Sequence, residues 1–192
     1  MISLDLNDLG PLSKLKSLKK LKLLTTKVTD ITPLASLEDL RSLSITFTPI
    51  KDLTPISDLK NLQYLFLFST RVTDLQPVAG FSKLRMLALT HLTEVDLSPL
   101  CRLPELTLLD LGHTSVRDFT LLGELSQLTR LKVSVTSSSD LTPLTKLTLL
   151  TTLSIEGAPL GAERMASLQQ SMPYCSITNA PPRSIAAQDL AD

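Results

Sequence analysis

The chain has 192 residues, 43% hydrophobic and 20% charged, which suits one domain with a buried core and excludes a disordered chain. Nineteen basic residues offset nineteen acidic ones, so no global field draws the chain to nucleic acid or an anionic membrane, and neither partner is expected. No apolar run of about 18 residues is available to cross a bilayer, the first residues lack the pattern of a secretory signal, and two isolated cysteines, Cys101 and Cys175, point to a reducing, cytoplasmic setting.

In chain order, Asp8-Leu9-Gly10-Pro11 reads as the second half of a repeating unit, and no amino-terminal cap is evident before it. From there Pro11, Pro33, Pro55, Pro77, Pro99 and Pro143 keep a period of 22, with Leu121 in the remaining slot. A fixed period in this range means a solenoid. Within each period an LxxLxL segment recurs: Leu18-Leu21-Leu23, Leu40-Leu43-Ile45, Leu62-Leu65-Leu67, Leu84-Leu87-Leu89, Leu106-Leu109-Leu111, Leu128-Leu131-Val133 and Leu150-Leu153-Ile155. The alternation that ends each segment predicts a short parallel strand with every second side chain inward. The stretch after it, apolar residue, Asp and Pro, turns the chain back along the convex side.

Residues 161–172 place Met165, Leu168 and Met172 on one face of a helix that stops before Pro173. Tyr174-Cys175-Ser176-Ile177 then predicts a closing edge strand. The domain is expected to span residues 1–178, with residues 161–178 as its cap, and residues 179–192, with Pro181-Pro182, to form a mobile tail.

These in-phase segments resemble the bacterial leucine-rich repeats of 22 residues typified by the internalins, over roughly residues 4–178. The resemblance implies an α/β horseshoe: a parallel concave sheet, convex 3-10 or turn segments, and a C-terminal helix and strand that shield the open end of the core. It departs from the general repeat pattern where an asparagine is usual, since Thr26, Thr48, Thr70, Thr114 and Thr136 stand there, with Leu92 and Ala158 as exceptions.

The threonine column invites a ligand-binding reading, but a hydroxyl where the chain leaves a strand is suited to serving local backbone groups. The column Asp30, Asp52, Asp74, Asp96, Asp118 and Asp140 suggests general acid-base work or metal. Its strict period three residues before the proline slot argues instead for capping the following turn. His91 and His113 hold the same repeat position on neighbouring strands, near Asp110, but zinc needs three or four converging ligands. No metal or cofactor is expected. Neither cysteine assembles a nucleophile-base arrangement, no residues remain for a catalytic module, and the chain is read as no enzyme.

Function is expected where the outward positions vary. The third position of each segment reads Lys20, Ser42, Tyr64, Met86, Leu108, Arg130, Thr152; the fifth, Lys22, Ser44, Phe66, Ala88, Asp110, Lys132, Ser154. Phe68 holds the seventh position of its copy, and Phe47, one residue beyond that position in the copy before, can lie beside it. The predicted partner site has an apolar centre of Phe47, Tyr64, Phe66, Phe68, Met86 and Leu108. A charged rim of Lys20, Lys22, Arg130 and Lys132 flanks it, with Asp110, His91 and His113 beside it. The expected function is capture of a partner protein by a chain monomeric on its own: an inhibitor such as an immunity protein, or a secreted effector acting on a host protein. A scaffold resembling the phosphatase regulator with 22-residue repeats is a further alternative.

Overall fold

The computed structural model describes residues 8–92, 95–136, 138–157 and 160–179. Eight strands form one parallel sheet in chain order: β1 (Lys20–Leu24), β2 (Ser42–Thr46), β3 (Tyr64–Phe66), β4 (Met86–Ala88), β5 (Leu108–Leu111), β6 (Arg130–Val135), β7 (Thr152–Gly157) and β8 (Ser176–Thr178). Register follows the sequence period without a slip, Leu43 opposite Leu65, Leu65 opposite Leu87, and Leu87 opposite Leu109. Each inward leucine therefore stacks on its equivalent one repeat away, and Leu43, Leu65, Leu87, Leu109 and Leu153 are completely buried.

Convex returns are 3-10 turns over Gly10–Lys14, Thr32–Ser36, Thr54–Ile56, Gln76–Gly80, Ser98–Arg102, Leu122–Glu124 and Thr142–Lys146. A proline begins six of them, where its fixed φ suits the first turn and the N–H it lacks has no partner to lose. The seventh has Leu121 instead and packs unusually close to the next return. A Cβ on Gly123 would come within 2.5 Å of the Pro143 carbonyl oxygen, so only glycine fits there. Phe81 and Phe119, in columns otherwise filled by Leu or Ile, are wholly buried.

The aspartate column is structural. Oδ1 of Asp30, Asp52, Asp74, Asp96, Asp118 and Asp140 accepts the N–H two residues on at 2.8–2.9 Å, an Asx turn that launches each 3-10 segment. Hydroxyls and N–H groups of Thr32, Thr54, Ser98, Thr120 and Thr142 hold five of these carboxyls below the usual carboxylate range. Asp74→Ala should therefore lower the urea midpoint by less than a core truncation does, and Asp74→Asn should restore most of the loss, since its carbonyl accepts the same bond.

The threonine column is less uniform than expected. Thr70 and Thr114 donate to the carbonyls of Leu67 and Leu111, and Thr136 contacts Ser138 and Ser139. The hydroxyls of Thr26 and Thr48, by contrast, are buried without a hydrogen-bond partner. Thr48 fills buried space behind the strand end while Thr136 is exposed, and Leu92, buried in the same column, shows that an apolar side chain is accommodated there too. Ala158 lies outside the described residues.

The closing unit follows the expected order. Helix α1 (Ala162–Ser171) turns Leu168 to the core, with Met165 partly buried and Met172 buried just past its end. Gln169 ties its last turn to the β8 approach through the carbonyls of Met172 and Cys175. The final strand begins at Ser176, two residues later than the sequence suggests, because Met172–Cys175 still form a turn and leave Tyr174 almost fully exposed. Among the described residues no helix is long and apolar enough to cross a membrane. The predicted tail, residues 179–192, lies outside the described residues apart from Asn179.

Candidate functional site on the concave sheet

The register aligns the outward columns as the period requires: Lys20 with Ser42, Tyr64 with Met86, Leu108 with Arg130, and Asp110 with Lys132. Burial then divides the predicted site into three parts. Lys20 and Lys22 on β1 are exposed. Phe66 and Met86 are not exposed at all. At 2% exposure each they join Ala88 in a second apolar cluster on the concave side, with Tyr64 and Leu108 partly buried against it. The expectation that Phe66 and Met86 are exposed is corrected: they pack as a small core, and Tyr64 and Leu108 keep part of their surface.

Lys132 is likewise no rim residue. Its ammonium lies 2.8 Å from Glu156 Oε1 and 4.0 Å from Asp110 Oδ2, and all three side chains are at most 6% exposed. Arg130, at the other end of the outward face of β6, is partly buried. Asp110 Oδ1 accepts the Gly112 N–H at 2.8 Å and the Thr90 hydroxyl also favours the charged Asp110 carboxylate, while among the described residues Asp110 Oδ2 and Glu156 Oε2 are buried without a geometrically formed hydrogen bond. Burial pushes the Asp110 carboxyl above its ordinary value, against the pull of the Gly112 N–H and Lys132. Gly112 is the floor of this cluster. A Cβ there would stand 2.9 Å from Lys132 Cε and 3.0 Å from both Asp110 Oδ1 and Glu156 Oε2.

The third part was only half visible in the sequence. Thr25, Phe47, Ser69, His91 and His113, one repeat apart, all take left-handed backbone, with φ between 50° and 62°. Each donates its N–H to the next repeat, the first four to Thr46, Phe68, Thr90 and Gly112 carbonyls and His113 to Ser134 Oγ. The sheet's hydrogen bonding thus runs one residue past the strands. The positive φ breaks the in-out alternation and re-aims side chains that would otherwise enter the core. The result is a row of rings: Phe47 edge-on to Phe68 at 4.8 Å, Phe68 edge-on to His91 at 5.0 Å, and His91 stacked on His113 at 4.5 Å and 5°. Phe47 is 54% exposed, and both histidines are exposed. His113 Nε2 ends the row 3.6 Å from Glu156 Oε2. Burial, and then His113, hold His91 below the ordinary imidazole value. Glu156 and this continuity were missed from the sequence. The signal available was two histidines, residues tolerant of left-handed backbone, in the same slot as Phe47.

Among the described residues no group of three His, Cys, Asp or Glu side chains could hold a metal ion. Cys101 is exposed on a convex turn and Cys175 is buried beneath the cap, neither in this site.

A curved parallel sheet closed by convex 3-10 turns and a terminal helix defines a leucine-rich-repeat solenoid, a class that generally binds other proteins. No family model and no curated protein matches the chain. Solved structures do. Internalin InlF of Listeria monocytogenes is 34% identical over 90% of this chain and 50% of that one, with a TM-score of 0.79. Internalin C2 of the same organism is 31% identical over 86% and 74%, at 0.73. A leucine-rich-repeat protein of Leptospira interrogans, 19% identical over 90% and 51%, shares the fold at 0.67. The chain belongs to the internalin-like leucine-rich-repeat proteins, and it spans half the length of InlF.

Proposed function

We propose that the chain captures one partner protein on its concave face, and that the contact centres on the ring row Phe47, Phe68, His91 and His113 rather than on Phe66 and Met86. The observation that carries this reading is a row of four rings in consecutive contact along one edge of the sheet, Phe47, His91 and His113 exposed and Phe68 partly buried between them. Exposed rings contribute little to a core, and contiguous exposed apolar surface marks an interaction site. Tyr64 and Leu108 extend the surface inward, and Lys20 and Lys22 supply a charged edge.

The test is capture from a lysate of the source organism with parent chain and with a Phe47→Ala, Phe68→Ala double variant, followed by calorimetry on the protein recovered. A partner held by the parent should lose about 2 kcal/mol or more on Phe68→Ala, since hot-spot energy concentrates on desolvated aromatics. The circular-dichroism melt should change little for Phe47→Ala. Equal capture by parent and double variant would move the interface elsewhere.

A further inference from the structure

We propose that the Glu156–His113 end of the ring row is a subsite for an arginine side chain presented by the partner protein. The inference rests on the concave-face reading above and names the chemistry of what that face receives.

Charge supplies the first argument. Asp110 and Glu156 bring two carboxylates to a single ammonium, Lys132, and two of their four oxygens, Asp110 Oδ2 and Glu156 Oε2, are buried without a hydrogen-bond donor. A buried acceptor lacking its donor is costly, and an ionised one more so. Among the described residues these two oxygens thus accept no hydrogen bond, and each can take a further donor. Lys20 and Lys22 do not supply it: β1 lies four strand spacings from β5, about 19 Å, well beyond the screening length of roughly 8 Å at physiological salt. Arg130 stands at the start of β6, in register with Leu108 and Thr152.

Access is the second argument. His113 Nε2 touches the lone Glu156 oxygen at 3.6 Å, too far for a hydrogen bond. Its side chain is 41% exposed while that of Glu156 is 6% exposed. The His113 N–H is fixed to Ser134 Oγ at 2.6 Å, so a side-chain rotation alone opens a route to the carboxylate without moving backbone. Gly112 keeps the floor clear, since any side chain there would fill the same space.

Shape is the third. The imidazoles of His91 and His113 are parallel within 5° and lead directly to Phe68. A planar guanidinium stacks on such faces while its N–H fork meets a carboxylate, whereas a lysine ammonium is a compact, strongly hydrated point charge that uses neither feature well. The observations therefore favour arginine over lysine.

The chain has two histidines, both at this subsite, which makes their ring protons clean reporters. At pH 7.5, N-acetyl-arginine methylamide should shift both ring signals saturably in the millimolar range. Its neutral isostere N-acetyl-citrulline methylamide should not, and the lysine analogue should bind about tenfold more weakly. Glu156→Gln, which keeps an oxygen for Lys132, should abolish the shifts with circular dichroism unchanged. Should that variant fail to fold, Asp110→Asn serves the same purpose. Equal shifts with arginine and citrulline, no shift with either, or full binding in a folded Glu156→Gln chain would each overturn the subsite. The concave-face reading fails separately: a captured partner lost with Phe47→Ala and Phe68→Ala but kept by Glu156→Gln leaves that reading standing and removes this one.

Discussion

Replacing Leu87 with Asp is expected to unfold several repeats together. Leu87 is fully buried on β4, between Leu65 and Leu109 in the same column. Burying an unpaired carboxylate there costs several kcal/mol, against a whole-domain stability of about 5–15 kcal/mol. Repeats in a solenoid are stable only through their neighbours, so a break at the fourth strand removes the interface on both sides. Leu87→Ala should cost about 2–5 kcal/mol and leave a folded, weakened chain. Urea titration followed by circular dichroism, with amide exchange to locate the loss, distinguishes the two. A Leu87→Asp chain that melts with its parent would mean that this column does not face the core.

The second large effect is expected at Lys132. Lys132→Met keeps most of the side-chain volume but leaves Asp110 and Glu156 facing each other without the ammonium between them. Breaking a buried ion pair in this way costs about 3–5 kcal/mol, more than the intact pair contributes. The sign of the pH dependence follows from Asp110. Burial already raises its pKa above the ordinary 3.8, and loss of Lys132 raises it further. The folded state then holds a proton that the unfolded chain has released, so the penalty is small near pH 3.8, grows as pH rises, and is complete above the folded-state value. The stability difference between parent and variant, measured by urea unfolding, should therefore be largest at neutral pH and shrink on acidification. A difference independent of pH would show that Lys132 matters for packing alone.

How much of this was legible beforehand depended on whether a property follows from the period. Pro33 and Asp30 specify a turn locally, and Leu43, Leu65 and Leu87 specify a strand and its register, so fold, column assignments and cap could be read directly. Exposure could not. Phe66 and Met86 occupy outward positions by alternation, yet whether such side chains stay exposed depends on the neighbours they meet, and with Ala88, Tyr64 and Leu108 they close into a cluster. Lys132 looks like a rim charge until Glu156, 24 residues on and in the adjacent repeat, is placed beside it. The ring row was half legible, with Phe47 beside Phe68 and His91 beside His113 from their shared slots, but its continuity was not. Strict alternation carried one residue past the strand would turn Phe47, His91 and His113 inward, and their positive φ is what joins them to Phe68 in one outward row.

That left-handed column divides the concave surface into parts that can diverge at different speeds. Thr25, Phe47, Ser69, His91 and His113 differ widely in size and chemistry yet take the same backbone and the same main-chain bond to the next repeat. A lineage can therefore exchange residues in these slots one at a time, sampling new recognition surfaces while the solenoid beneath is untouched. The Asp110–Lys132–Glu156 group has no such freedom, because each member is tolerated only in the company of the others. Drift in what the molecule recognises is accordingly expected along the rings, and inheritance in common among its descendants at the buried charges.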